Sequence, residues 1–425
     1  MRNVRIDRQE NVDVTFTAPP SKSYTHRAII CGALSDGMTI LEDPLISGDT
    51  IATCNALNLL GIGTSVLDGE IHIEGCSGDI PDSGEPAIDC ENSGTTFRMM
   101  MTLSLLTKRK VILTGNKRMQ ERPVGGLAEA IKQTGGEIEF LDKDGFPPLA
   151  VSGSYRGGEI SVDASKSSQY ISSLMLPAPY AESQVKIRPK GEIASAPYIR
   201  ITADVMNSFG IRVKEDGLRS ISVPEGIYNA CRYRIEGDYS SSSYFFSIAA
   251  VCGGRVQVDN LNPDTIQGDA VILQALERMG CKVNRGMNSV TVIRDRPLSG
   301  IEIDLSNSPD IIQTIAAIAM FADTPTTITG VSNLIYKESN RIDAIRRIVE
   351  GCGAVFEKDP DHITIIPGEL HGCTIDPEDD HRTAMAGAVT GLGIGGVFIS
   401  DRECVAKSFP GFWEALGGMG SWRKE

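Results

Sequence analysis

Six stretches of this chain are apolar on nearly every face of a helix, and each is opened by a polar residue. They read SKSYTHRAIICGAL, SGTTFRMMMTLSLL, SSQYISSLMLPAP, SSSYFFSIAAVCGG, SPDIIQTIAAIAMFA and DHRTAMAGAVTGLG. The opening positions Ser21, Ser93, Ser168, Ser241, Ser308 and Asp380 recur every 67 to 75 residues. A helix apolar all round is buried rather than laid on a surface, and a fixed period of this length marks repeated supersecondary units. Each buried run is followed by an amphipathic run ending in glycine, as in NALNLLG, LQALERMG and IRRIVEGCG, where the Gly is expected to cap the helix C-terminus. After the first five of these comes a strand–turn–strand pattern such as GIRVKEDGLRSISV, then a short strand into the next polar opening.

The sixth unit stops at Gly420-Ser-Trp-Arg-Lys-Glu, which predicts that it lacks its closing strands. Two strand-like runs at the other end, Asn3–Asp7 and Val12–Ala18, supply them. Residues 1 to about 19 are therefore expected to pack with the C-terminal half. The expected organisation is a discontinuous outer domain, 1–19 with 238–425, and a continuous middle domain, 20–237, three units each. Hinges are expected near residues 18–20 and 236–239. The buried helices would then aim their N-termini at a cleft between the domains.

The chemistry-bearing residues fall at the helix openings and the loops between helices. Pro19-Pro20 ends a strand, and Ser21 or Ser23 opens the first helix as an N-cap. Lys22 and Arg27 crowd that end, although the helix dipole already makes it positive and favours an anion. The bland reading is a capped helix with two solvated cations. Unit two adds Asn92-Ser-Gly94-Thr95, whose glycine would admit a ligand close to the backbone, and Arg122 held before a proline. Unit three adds Ser167, Ser168 and Gln169, then Ser195 and Tyr198, neutral donors suited to hydroxyl or phosphate oxygens. Unit four, DYSSSSY, carries no cation and reads as structural. Unit five offers Asp310, Asn333, Lys337, Glu338 and Arg341. Lys337 and Arg341 would share a helical face, with a surface salt bridge to Glu338 as the plain alternative. Unit six offers Arg382 and Lys407. Seven cations at equivalent positions are expected to face the cleft and to need anions to answer them.

Composition narrows the classes. The formal net charge is −14 and 41% of residues are hydrophobic, which argues against a general nucleic-acid or anionic-membrane surface. Ten cysteines, none in a C-x-x-C pair, read as reduced thiols of a cytoplasmic protein, and the start of the chain has no apolar core of the secretory type. The five histidines His26, His72, His362, His371 and His381 lack zinc-site spacing.

The motifs PSKSYTHRA, NSGTTFR, QERPVGGL, SSQY, SAPY, KESNRI, DHRTAMA and CVAKSFPGF run in order along the whole chain. Together they resemble the 5-enolpyruvylshikimate-3-phosphate (EPSP) synthase family. The resemblance implies a two-lobed, inside-out α/β barrel of six βαβαββ-type units, three per lobe. It implies transfer of the enolpyruvyl group of phosphoenolpyruvate to the 5-hydroxyl of shikimate 3-phosphate. Apart from the resemblance, no cofactor or metal is expected, and a monomer is expected because no excess of apolar surface demands a partner. Ser23, Arg27, Ser167, Ser168, Gln169, Ser195, Tyr198, Asp310, Asn333 and Lys337 would then hold shikimate 3-phosphate. Lys22, Gly94, Arg122, Arg341, Arg382 and Lys407 would hold phosphoenolpyruvate. Asp310 would act as general base, and Glu338, with Lys22 or Lys407 nearby, as the acid. Lys337 and Arg341 favour ionised Glu338, whereas an acid must keep its proton. The sister family, which uses a UDP-linked amino sugar as acceptor, relies on a Cys between the helices of unit two; here residues 116–126 contain none. A non-catalytic ligand-binding scaffold would leave the acid–base pairs without a purpose.

Overall fold

The computed structural model describes residues 3–81 and 86–424. The chain divides into two compact units, one of Met1–Pro19 with Glu236–Glu425 and one of Pro20–Ile235. Among the described residues there are six four-stranded sheets, and all share one wiring. A lead strand at one edge pairs in parallel with the strand after the buried helix, as Ala87–Asp89 does with Val111–Thr114. That second strand pairs antiparallel with the fourth, and the third closes the far edge as a hairpin partner. A parallel pair cannot be joined by a tight turn, so the apolar helix between the first two strands is the obligatory crossover.

Two sheets exchange their lead strands. Val12–Thr17 runs directly into the first buried helix, yet it pairs with Gly254–Asp259. Arg232–Arg234, which leads into the fourth buried helix, pairs with Met38–Glu42. The chain thus changes unit after each of these strands, with the second change between Ile235 and Glu236. The Asp238 N–H donates to the Pro19 carbonyl at 2.8 Å, and Asn260 donates to Ala18 O at 3.3 Å. Gly237 is needed here because a Cβ would collide with the Asn260 carbonyl.

The sixth sheet departs from the sequence expectation. Trp422–Lys424, expected to be a strandless tail, is a strand paired antiparallel with Val4–Ile6. Val4–Ile6 also pairs with Val397–Ile399, so the first strand of the chain fills the fourth position of the last sheet. Only one of the two missing strands comes from the N-terminus; the other is the C-terminus itself.

The buried helices are Lys22–Ala33, Gly94–Leu103, Gln169–Met175, Tyr239–Cys252, Ile312–Ala319 and His381–Ile394. The fourth starts two residues before Ser241, with Asp238 as its cap accepting from Ser241 N at 2.6 Å. All fourteen of its residues are buried. Hydroxyls join these helices to one another, Thr102 to Ser173 at 2.6 Å and Ser243 to Thr314 at 3.1 Å, and the third to the amphipathic helix Pro197–Ser208, Ser172 to Thr202 at 2.7 Å. Each such bond contributes about 1 kcal/mol and spares both of its hydroxyls the cost of burial without a partner. Five second helices end at a left-handed glycine, as at Gly280 (φ 113°), while the sixth has Gly418 right-handed and turns at Gly420 (φ 63°).

Candidate active site

The first helix begins at Lys22, and Ser21 holds the N-cap position without capping. Its hydroxyl is buried with no hydrogen-bond partner among the described residues. Ser23 lies in the first turn, so neither serine performs the capping expected of it. Lys22 Nζ is 3.0 Å from Asp49 Oδ2, and Asp49 sits in the first turn of helix Gly48–Leu59, where the dipole favours a carboxylate. Arg27 is not a solvated cation: its side chain is buried. It donates to Thr202 Oγ1 at 2.7 Å, Ser23 O at 2.9 Å, and Ser172 Oγ and Tyr198 O at 3.2 Å each. Burial pushes this guanidinium down to about 10, which leaves it charged at neutral pH. Beside it, burial and the cations Lys22 and Arg27 outweigh Asp49 and drive His26 down to about 3, so its imidazole is neutral. His26 Nδ1 meets Thr53 Oγ1 at 2.8 Å, and Thr53 meets Thr96 at 2.7 Å.

Ser93 caps the second buried helix, accepting from Thr96 N at 3.4 Å. Gly94 follows, and its bare α-carbon accommodates Arg122: a Cβ there would lie 2.6 Å from the guanidinium carbon. The glycine expected to admit a ligand instead makes room for a cation, which donates to Asn92 O at 3.3 Å. Gln169 is oriented at both ends, accepting from Arg98 at 2.6 Å and donating to Thr95 Oγ1 at 2.9 Å. Ser167 Oγ accepts from Gln169 N at 3.2 Å, and Ser168 is buried at the N-cap position. Ser195 is buried in the left-handed region (φ 59°), with Tyr198 N donating to its carbonyl at 3.2 Å. These residues all belong to the Pro20–Ile235 unit.

The other unit builds a denser cluster around Arg341, the first residue of helix Arg341–Gly351. Lys337 and Arg341 do not share a helical face, because Lys337 ends a short 3-10 turn in an extended conformation. Tertiary structure nevertheless gathers them: Arg341 Nη1 is 2.9 Å and Lys337 Nζ 3.8 Å from Asp310 Oδ1. Arg382 Nη2 is 2.9 Å from Asp310 Oδ2, and its other terminal nitrogen donates to Asp310 O at 3.0 Å and Ser240 Oγ at 2.7 Å. Arg341 also donates to Glu338 at 2.7 Å and, through Nε, to Asp380 at 2.9 Å. The Glu338 pair is buried rather than a surface salt bridge, with side-chain exposures of 1% for Arg341 and 12% for Glu338.

Here the expectation of unanswered cations is corrected. Lys337, Arg341 and Arg382 meet three carboxylates, Asp310, Glu338 and Asp380, and Lys22 meets Asp49. Burial pushes the Asp310 carboxyl up, but Arg382, Lys337 and Arg341 outweigh it and hold it well below the usual carboxylate range. Asp380 follows the same balance and is drawn down to about 2, chiefly by Arg341 against burial. Asn333 is buried, and its Oδ1 has no hydrogen-bond partner among the described residues. Lys407 lies half-buried at the end of the 3-10 turn Glu403–Lys407. No group of three or more His, Cys, Asp or Glu among the described residues is arranged to hold a metal ion.

Sequence reasoning missed Asp49, the counter-ion role of Asp380, and Arg98 as the residue that orients Gln169. Asp49 carried a local signal, an acid after Ser47 at a helix start, but its partner lies 27 residues away.

The comparisons with known proteins decide the family. The model for EPSP synthase (3-phosphoshikimate 1-carboxyvinyltransferase) matches residues 6–416. The chain belongs to the EPSP synthase family. A 3-phosphoshikimate 1-carboxyvinyltransferase of Methanoculleus marisnigri is 51% identical over 98% of this chain and 99% of its own. One from Serratia proteamaculans is 36% identical over 95% and 96%. The fold is shared with an EPSP synthase structure from Acinetobacter baumannii, with a TM-score of 0.83, 24% identity, and coverage of 100% of this chain and 99% of that one. Met99 follows Arg98 and Ser93 precedes Gly94. Both are buried beside the Arg98 and Gly94 contacts.

Proposed function

We propose that this chain is a 3-phosphoshikimate 1-carboxyvinyltransferase: it moves the enolpyruvyl group of phosphoenolpyruvate to the 5-hydroxyl of shikimate 3-phosphate and releases phosphate. The observation that carries the mechanism is Asp310, a carboxylate gripped by Arg341 and Arg382 at 2.9 Å each. Held so far below its usual range, it is ionised but a weak base. When the phosphate and carboxylate of a substrate occupy those arginines, their hold on Asp310 weakens and its proton affinity rises. Asp310 then accepts the 5-hydroxyl proton as the oxygen attacks the enol carbon. Glu338, its Arg341 contact similarly diverted, delivers a proton to the methylene carbon, with Lys22 or Lys407 assisting. The tetrahedral adduct loses phosphate as the proton transfers reverse, so no covalent bond to the protein forms at any step. Cations stabilise the developing charge more strongly once water is excluded.

Ser23, Arg27, Ser167, Ser168, Gln169, Ser195, Tyr198, Asn333 and Lys337 are assigned to shikimate 3-phosphate together with Asp310. The orphaned Asn333 Oδ1 supports this, since a substrate hydroxyl would satisfy it. Lys22, Gly94, Arg122, Arg341, Arg382 and Lys407 are assigned to phosphoenolpyruvate, Gly94 by making room for Arg122. A cytoplasmic monomer is proposed as well. The sister reaction on a UDP-linked amino sugar is disfavoured by the family match and the missing Cys. Phosphate release from phosphoenolpyruvate is measured with each acceptor in turn. Release with shikimate 3-phosphate alone is expected; release with UDP-N-acetylglucosamine alone would overturn the assignment.

A further inference from the structure

We propose that Cys352 and Cys373 form a redox-modification site, a dithiol that a small-molecule disulfide oxidises to an intrachain disulfide. Their Sγ atoms lie 3.1 Å apart. Neither residue has a part in the carboxyvinyl transfer. Cys352 is the buried residue that ends helix Arg341–Gly351, and Cys373 is half-buried just before strand Thr374–Ile375.

The backbone on both sides is fixed by hydrogen bonds. Cys352 N–H donates to Ile348 O at 3.0 Å, His371 N–H to Cys352 O at 3.0 Å, and Phe398 N–H to Cys373 O at 2.8 Å. Gly351 lies directly beside the pair, its Cβ position 3.7 Å from both Cys373 Cβ and Sγ. Bond formation requires the two sulfurs to close from 3.1 Å to about 2.05 Å. The two thiols also divide their roles. The hydrogen bond from Cys352 lowers Cys373 from the usual thiol range, while the same contact, with burial, raises Cys352. Cys373 thus has the more readily ionised thiol and is the more exposed of the two, which are the attributes of an attacking sulfur. Cys352 is the resolving thiol.

The exchange balances with one disulfide of the oxidised-glutathione class. Cys373 thiolate attacks one sulfur of the reagent and displaces a small thiolate, leaving a mixed disulfide. Cys352 gives up its proton to a base, commonly the departing thiolate, and displaces the second small thiolate from Cys373. Two protein thiols are oxidised by two electrons and one reagent disulfide is reduced to two thiols. The new bond would join segments already tied by the Arg341–Asp380 ion pair, because the helix begins at Arg341 and the chain after Cys373 continues to Asp380.

The test treats the full, reduced chain with oxidised glutathione, quenches in acid, alkylates in denaturant and maps the peptides. Of ten cysteines, ten minus two, or eight, are expected to be alkylated, with one cross-linked peptide pair containing Cys352 and Cys373 that dithiothreitol releases. Oxidation there should run at least about 10-fold faster than glutathione addition at Cys76 or Cys231, the other half-buried thiols. In Cys352→Ser, Cys373 should stop at the glutathione adduct; in Cys373→Ser, Cys352 should remain alkylatable. Ten alkylated thiols after treatment, a cross-link elsewhere, or equal adduct formation at Cys76, Cys231 and Cys373 would overturn the proposal. Circular dichroism of both serine variants keeps misfolding from imitating either result.

Discussion

Replacing Asp380 with Asn removes the charge at the centre of the Arg341 cluster. Asp380 is fully buried; its Oδ2 accepts from Arg341 at 2.9 Å and Ser339 at 3.0 Å, and its Oδ1 caps the last buried helix by accepting from Arg382 N at 3.0 Å. Asn retains the shape and the capping oxygen, while its amide nitrogen replaces the Oδ2 that accepts from Arg341 and Ser339, so the change removes the charge together with that acceptor. The folded-state carboxyl lies at about 2, against an ordinary 3.8. At 1.36 kcal/mol per unit this difference is worth roughly 2 kcal/mol. Because the folded value is the lower one, that stability is present above about pH 4 and disappears as pH falls through the folded value toward 2. The chain's two tryptophans, Trp413 and Trp422, both lie in the unit containing Asp380, so their fluorescence in urea reports that unit alone. The variant should be less stable by about 2 kcal/mol from pH 7 to 5, with the gap shrinking below pH 4. A gap below about 0.5 kcal/mol at pH 7, the size of an ordinary surface change, or one that widens on acidification, would refute the reasoning.

Four further outcomes follow from the same geometry. Asp310→Asn should lower turnover by roughly 100-fold or more while sparing shikimate 3-phosphate binding by calorimetry; unchanged turnover would remove Asp310 as base. Glu338→Gln should also cut turnover strongly, and near-wild-type kcat would exclude it from carbon protonation. Gly94→Ala puts a methyl 2.6 Å from the Arg122 guanidinium, so KM for phosphoenolpyruvate should rise about 10-fold with a smaller change in kcat; steady-state kinetics in which only kcat falls would contradict the Arg122 assignment. His26, buried and held at about 3, has its folded value below the ordinary 6.5. Stability should therefore be fully present above pH 6.5 and fall by roughly 2 kcal/mol by pH 5, a slope that His26→Gln flattens in urea titrations followed by circular dichroism.

The sequence alone determined the sixfold plan, because helix and strand periodicities are local and an all-round apolar helix has no stable place except inside. It also marked most of the residues that gather within each unit's cluster, since they open helices or sit before prolines. The pairing of strands that exchange sheets, and the return of Trp422–Lys424 beside Val4–Ile6, required the tertiary structure, because edge pairing joins segments several hundred residues apart without local trace. Charge balance was the largest misreading. Counting cations along the chain suggested a field awaiting anions, whereas folding lays Asp49 against Lys22, and Asp310 and Asp380 against Arg341 and its neighbours. Burying an unpaired charge is far costlier than burying a pair. Partners that lie some 30 to 70 residues apart are fixed by packing, not by spacing.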